Sequence, residues 1–326
     1  MHCLIIQPIH TRGLEILRAA GIEPLEASAT DMATISREIP DAIAAITRNA
    51  GLNGPAIRAA SNLQVIGNHG TGYDPIDVEY ATGNGIPIIY TPHANVRSVA
   101  EHTISQMLLI AKRGREADRS MRSGNYDYRY SRDFIELTGK TLGIVGFGKI
   151  GRKTAEIARA AFDMRVLVYS PSIGSEDIVA AGFEACGELD ILLSEADVIS
   201  LHQRLTDDTR HMFNATRLKS MKAGAMLVNT ARGALIDPDA LIEAVNSGHL
   251  RGAAMDVFEP EPLPPGHPLI DCDGIILSPH IGGATEEALV RTAEQTASQV
   301  VDVLQGRKPE FLVNPEVWST SRGRQT

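Results

Sequence analysis

A chain of 326 residues is longer than one hydrophobic core usually serves, so two domains are expected. Its 43% hydrophobic and 22% charged residues are the balance of a soluble globular protein, and a formal net charge of −9 argues against the basic face that nucleic-acid binding needs. Cys3, Cys186 and Cys272 lie far apart and form no C-x-x-C, which points to a reducing compartment and away from a disulfide frame or zinc site. The start, M-H-C-L-I-I-Q-P, reads as a strand and not as a signal peptide. No run approaches the ~20 apolar residues of a membrane span, and the cytoplasm is the expected location.

Short apolar runs alternate with helical patterns through the first hundred residues. C-L-I-I-Q reads as a strand and T-R-G-L-E-I-L-R-A-A as a helix stopped by Gly21. A-I-A-A-I-T-R, L-Q-V-I-G-N and I-P-I-I-Y-T are further strands. Strands spaced by helix-sized segments imply βαβ units and a parallel sheet. Ligands bind at the carboxyl ends of such strands, so the loops at Arg48-Asn49, Asn68 to Gly72 and Thr91-Pro92 are candidate substrate contacts. Ser98 to about Arg113 reads as a long connecting helix. Residues 114–138, with Tyr126, Tyr128 and Tyr130, have a weak apolar pattern and read as a surface loop or as an arm toward a partner subunit.

A second βαβ series begins at Thr141. Six strands are expected: T-L-G-I-V-G, R-V-L-V-Y-S, V-I-S-L-H, A-M-L-V-N-T, G-A-A-M-D-V and G-I-I-L-S-P. Six in series make a full dinucleotide-binding sheet. A long helix follows His280 and ends at Gly306, and the apolar tail F-L-V-N-P-E-V-W is expected to dock.

Gly146, Gly148 and Gly151 follow the first strand of this series and precede a helix. There they permit the tight turn, close approach of backbone to a pyrophosphate, and helix–strand packing. The helix N-terminus adds N–H groups and a positive dipole end. The second strand ends in Ser170, then Pro171 and Ser172, where an acid would hold the ribose 2′-OH of NAD. Ser170, Ser172 and Arg204 are therefore candidates to accept the 2′-phosphate of NADP.

Three further strand ends carry Arg232, Glu261 and His280. Arg232 offers a fixed, bidentate cation to a carboxylate and ketone. Histidine as a residue type titrates near neutrality, so a side chain such as that of His280 can donate a proton in reduction and accept one in oxidation. Glu261 can bond the other ring nitrogen, fixing the tautomer and favouring the protonated form. Asp256 can support this group, and Pro260, Pro262, Pro264 and Pro265 stiffen the Glu261 loop. His69, His93 and His102 show no metal spacing, and His102 reads as packed or bonded locally. The set suggests hydride transfer to or from a 2-oxo acid.

Long motifs in order resemble those of the D-isomer-specific 2-hydroxyacid dehydrogenases: H-G-T-G-Y-D (69–74), N-V-R-S-V-A-E-H (95–102), G-K-T-L-G-I-V-G-F-G-K-I-G (139–151), N-T-A-R-G (229–233), D-V-F-E-P-E-P (256–262), P-H-I-G-G-A-T (279–285) and L-V-N-P-E-V (312–317). The resemblance implies an α/β protein with two Rossmann-like or flavodoxin-like parallel-sheet domains and a cleft between them. Residues 1–96 with 286–326 would form the substrate domain and 97–285 the NAD(P)-binding domain. It implies a homodimer and the catalytic set Arg232, Glu261 and His280. The implied cofactor contacts are Gly146, Gly148, Lys149, Ile150, Gly151, Ser170, Ser172, His202, Arg204, Thr230, Ala231, Arg232, Asp256, His280 and Gly282. Gly70, Thr71 and Gly72 would hold the substrate carboxylate, and Arg48 its distal end, with Arg232 and His280 at the reacting carbon. No metal is implied.

Two positions depart from the family pattern, Ser170 for an acid and Arg204 for a proline, which puts NAD preference in doubt and leans toward NADP. With no regulatory domain expected after the last helix, a hydroxypyruvate or glyoxylate reductase fits better than a 3-phosphoglycerate dehydrogenase, for which Arg48 and Arg97 would be the phosphate cations. A corepressor-like nucleotide sensor, and an enzyme that oxidises an inorganic or one-carbon donor such as phosphite or formate, are the readings from other classes. Glu261, where formate enzymes have Gln, argues against formate.

Overall fold

The computed structural model describes residues 1–319. Its sheets form where the sequence runs through small and β-branched residues that tolerate burial on both faces. The first sheet contains β1 (His2–Ile5), β2 (Glu23–Glu26), β3 (Ala44–Thr47), β4 (Val65–Asn68) and β5 (Ile88–Ile89). Their order, β2-β1-β3-β4-β5, is all-parallel and flavodoxin-like. The second contains β6 (Thr141–Val145), β7 (Arg165–Tyr169), β8 (Glu184–Ala185), β9 (Val198–Leu201), β10 (Met226–Asn229), β11 (Gly252–Met255) and β12 (Ile275–Leu277). Its order, β12-β11-β10-β9-β6-β7-β8, is the doubly wound dinucleotide arrangement with one further parallel strand. The order reverses between β6 and β9, and the crevice beyond their carboxyl ends is where such sheets bind ligands.

The chain divides into two compact units: Met1–Asn95 with the segment from Gly283 onward, and Val96–Gly282. The first is thus built from two stretches that flank the second. Its helix Glu286–Leu304 buries Ala293, Ala297 and Val300 against Ile5, Ile46 and Val65 of the first sheet. Gly67 in β4 admits this helix closely, since a Cβ there would stand 3.1 Å from Thr296 and Val300. The apolar tail docks on the same unit. Leu312 bridges Ile89, and the buried Asn314 accepts from Ile88 N–H (2.8 Å) and donates to Ile86 O and Thr82 Oγ1 (3.0 Å each).

The structure corrects two expectations. The second sheet has seven strands, because the two-residue β8 joins the edge beside β7. Residues 114–138 are not a plain loop: they hold a helix, Gly114–Arg122, and a 3-10 turn, Tyr126–Tyr130. That helix buries no residue and so carries no apolar stripe. It is laced by the Arg122–Asp118 pair (2.7 Å) and by Arg115 and Arg119 on Asp273 (3.0 and 3.2 Å). His102 lies beside Gln106 on its own helix (3.1 Å) and also reaches across the fold, as described below. Among the described residues no helix is long and apolar enough to cross a membrane, and no three His, Cys, Asp or Glu side chains are grouped to hold a metal ion.

Candidate active site

The Gly146–Gly151 turn joins β6 to the helix Lys149–Phe162. Gly146 has φ +96°, and a Cβ there would stand 2.6 Å from the His202 backbone. A Cβ on Gly151 would stand 2.2 Å from Gly146 O. These two glycines are required by the turn itself. Gly148 differs: a Cβ there meets nothing within 4 Å, and as the helix N-cap it has no side-chain cap. The helix that starts at Lys149 thus begins beside clear space, at a residue with no side chain. That is the cradle an anionic diphosphate fits.

His202 packs against this turn and stands 2.9 Å from Ser200 Oγ. Its residue keeps a partly accessible edge, but burial of the ring pushes its pKa down to about 3, so it is neutral at pH 7. At the end of β7 the Ser170 hydroxyl is buried without a hydrogen-bond partner, while Ser172 and Arg204 lie exposed. The orphaned hydroxyl is a group that a bound ribose or its phosphate would satisfy.

Arg232 follows β10 and caps the 3-10 turn Gly233–Leu235. Asn229, buried at the strand end, shapes this bend by donating to Arg232 O (2.8 Å) and accepting from Ala231 N–H (3.0 Å). Arg232 Nη1 donates to Ala231 O (2.7 Å). Gly233 brings the bend against the loop after β11, where a Cβ would stand 2.2 Å from the Phe258 carbonyl carbon. Phe258 N–H in turn donates to Glu261 Oε1 (2.9 Å), and Glu261 Oε2 lies 2.8 Å from His280 Nδ1. Burial pushes the Glu261 carboxyl up, but the His280 hydrogen bond and charge, the Phe258 N–H and the Arg232 charge outweigh it and hold it below its ordinary value. The three residues therefore converge on one place, each from a different strand end.

Asp256, 2% exposed, serves the same place from behind. Its Oδ1 accepts from Ser278 Oγ (2.6 Å) and Ile281 N–H (2.9 Å), and its Oδ2 from Gly282 N–H (2.8 Å). His102 Nε2 lies 3.3 Å from Oδ1. Burial raises this carboxyl too, yet the bonds from His102, Ser278, Ile281 and Gly282 hold it below the usual range. Sequence reasoning missed His102, Gln106 and Ser278. The signal available was His102 and Gln106 four apart on one helix, with nothing to name their partners. Thr230 joins the same helix through Thr103 Oγ1 (3.0 Å).

In the first unit, Arg48 at the end of β3 donates from Nη1 to Pro8 O (3.0 Å), and its N–H donates to Gln7 Oε1 (3.1 Å). Asn68 at the end of β4 ties down the next loop by donating to Gly70 O and Gly72 O (3.0 Å each). Gly70 N–H is already spent on Asn68 O (2.9 Å). Among the described residues, the N–H groups of Thr71 and Gly72 have no acceptor. Of the expected carboxylate loop, then, two amides are available and not three. His69 is buried beside them, and burial together with the Arg48 charge pushes its pKa down to about 4. Arg97, the second expected phosphate cation, is exposed and paired with Glu101 on its own helix.

Comparison with known proteins shows the family. Residues 104–282 match the family model described as D-isomer specific 2-hydroxyacid dehydrogenase, NAD binding domain. A glyoxylate reductase of Thermofilum pendens is 43% identical over 263 residues, 79% of this chain and 77% of that protein. A D-3-phosphoglycerate dehydrogenase of Methanocaldococcus jannaschii is 39% identical over 312 residues, 95% of this chain. The chain spans only 59% of that dehydrogenase's length. The crystal structure of D-lactate dehydrogenase from Aquifex aeolicus, complexed with NAD and lactic acid, superposes with a TM-score of 0.82 at 29% identity, covering 98% of each chain. The chain belongs to the D-isomer specific 2-hydroxyacid dehydrogenase family, and so to the NAD-dependent oxidoreductases that act on CH–OH groups.

Proposed function

We propose that this enzyme reduces a small 2-oxo acid, hydroxypyruvate or glyoxylate, to the 2-hydroxy acid. The observation that carries the reading is the His280–Glu261 pair at 2.8 Å beside Arg232, on successive strand ends of the nucleotide-binding sheet. A bound reduced nicotinamide supplies the hydride to the carbonyl carbon. Arg232 holds the substrate carboxylate and draws electron density onto the ketone oxygen. His280 gives a proton to the alkoxide from Nε2, because Nδ1 faces Glu261. The net change is one hydride and one proton added across C=O. Thr71 and Gly72, in the first unit, offer two N–H donors to an acid.

The Gly148 cradle supports dinucleotide binding by the second unit, and the first would then act as the substrate domain. Ser170 in place of an acid supports use of NADPH, since no carboxylate at the end of β7 repels a 2′-phosphate. Exposed Met121, Tyr126 and Tyr130 (58%, 59% and 63%) suit a homodimer contact, and the free cysteines suit the cytoplasm. A phosphorylated acid is the second reading, favoured by the partly buried Arg48 cation and the phosphoglycerate dehydrogenase relative.

The test follows loss of reduced-nicotinamide absorbance with glyoxylate, hydroxypyruvate, pyruvate and 3-phosphohydroxypyruvate, NADPH and NADH in parallel. Turnover of the first two acids with NADPH is expected. Turnover confined to NADH and the phosphorylated acid would overturn both the substrate and the cofactor assignment.

A further inference from the structure

The helix Val96–Ala111 presents Ser98, His102, Thr103 and Gln106 on one side, all but His102 nearly inaccessible. Buried polar side chains on a helix need partners; beyond Thr103 to Val99 O and Gln106 to His102 within the helix, the partners here lie on the loops that carry the proposed chemistry. Ser98 Oγ donates to Gly282 O (2.6 Å). His102 Nε2 stands 3.1 Å from Ser278 Oγ and 3.3 Å from Asp256 Oδ1. Gln106 Nε2 donates to Ser278 Oγ (3.2 Å) and lies 3.1 Å from His102 Nε2. The two residues that His102 reaches, Ser278 and Asp256, bracket His280. Asp256 holds the N–H groups of Ile281 and Gly282, directly after it.

His280 itself has φ +53°, the left-handed region that a residue with a Cβ avoids. Such a conformation persists only where surrounding contacts over-determine it. Besides Glu261 on the ring, Ser278 O accepts from His280 N–H (3.0 Å) and Asp256 holds the two amides that follow, and both Asp256 and Ser278 are tied to the helix by His102. We infer that His102 is a positioning residue for the reaction: through Asp256 and Ser278 it holds the Ser278–Gly282 loop so that the His280 ring meets Glu261. This rests on the reading of His280 as the proton carrier. His102 touches no reacting atom in this account. It acts by fixing where the imidazole points, and misplacement by ~1 Å can cost about 10²-fold in rate.

The test uses the whole enzyme in two readouts, one independent of turnover. In cofactor-free protein labelled with 15N-histidine, the His280 ring is assigned by its loss in His280→Gln. The parent is expected to show Nδ1 protonated and hydrogen-bonded. His102→Ala is expected to shift that signal, and His102→Gln, whose amide nitrogen reaches about as far as imidazole Nε2, to restore it. In steady state, kcat per cofactor site is expected to fall roughly 10- to 100-fold in His102→Ala and to recover most of the loss in His102→Gln, with KM for the oxo acid little changed. A residue that served stability alone would lower the melting temperature and leave both the ring signal and kcat per site in place, and that result would overturn the inference. Ser278→Ala carries the same test if His102→Ala fails to fold. His280→Ala is measured alongside. If it retains parent turnover while His102→Ala still moves the ring signal, the proton-carrier reading fails and the positioning role stands.

Discussion

Glu261 divides its two oxygens between backbone and imidazole: Oε1 fixes the loop at Phe258 and Oε2 the ring at His280. Glu261→Gln keeps the shape but removes the charge. Its kcat for oxo-acid reduction is expected to fall at least tenfold, part of the ~10²–10⁴ that a positioned acid–base group supplies. The pH dependence follows from the lowered carboxyl. A folded value below the ordinary 4.5 means that the ionised form stabilises the fold. That contribution is fully present above 4.5 and is lost as pH falls through the lowered value. Melting curves of parent and Glu261→Gln should therefore differ at pH 7 and converge in acid. A gap unchanged down to pH ~3 would contradict the argument.

The turn after β6 separates two kinds of glycine. Gly151→Ala drives a Cβ to 2.2 Å from Gly146 O, so the melting temperature should fall. Gly148→Ala meets nothing within 4 Å and has an ordinary φ of −71°, so it should fold as the parent does. Its methyl would still occupy the approach to the first helical N–H groups. NADPH or NADH affinity, followed by fluorescence titration, should weaken about tenfold or more, the cost of ~1.4 kcal/mol. Unchanged affinity in Gly148→Ala would remove the cradle from the cofactor site.

Elements of this kind were readable because they are long, apolar and closed by Gly or Asn. The edge strand β2, E-P-L-E, was missed because three of its four residues are exposed, and β8 because two residues carry no pattern. The site divides likewise. Arg232, Glu261 and His280 each follow a recognisable strand, so their convergence could be argued. Beyond Gln106, the partners of His102 lie 154 and 176 positions further along, and no spacing encodes such a pairing. That Gly70 N–H is already bonded depends on the fold of a single loop, which composition does not reveal.

Among the described residues, each unit holds a histidine whose ring burial keeps it neutral, His69 near 4 and His202 near 3. A depressed imidazole means that the unfolded chain binds the proton more readily. Stability is therefore lost as pH falls below the unfolded value of about 6.5, progressively down to the folded value. His69→Gln and His202→Gln should each flatten the decline in melting temperature between pH 6.5 and 4, measured against the parent; an equally steep decline in both would refute it.

The helix that covers the first sheet is supplied by residues 286–304, after the whole of the second unit has intervened. A ribosome making this chain thus releases β1 to β5 long before Ala293, Ala297 and Val300 exist to shield them. The second unit, contiguous from Val96 to Gly282, can assemble as it emerges, whereas the first must wait with Ile5, Ile46 and Val65 uncovered. Strands made before the second unit are covered only by a helix made after it, and a ribosome stalled near residue 282 would present those apolar strands to chaperones.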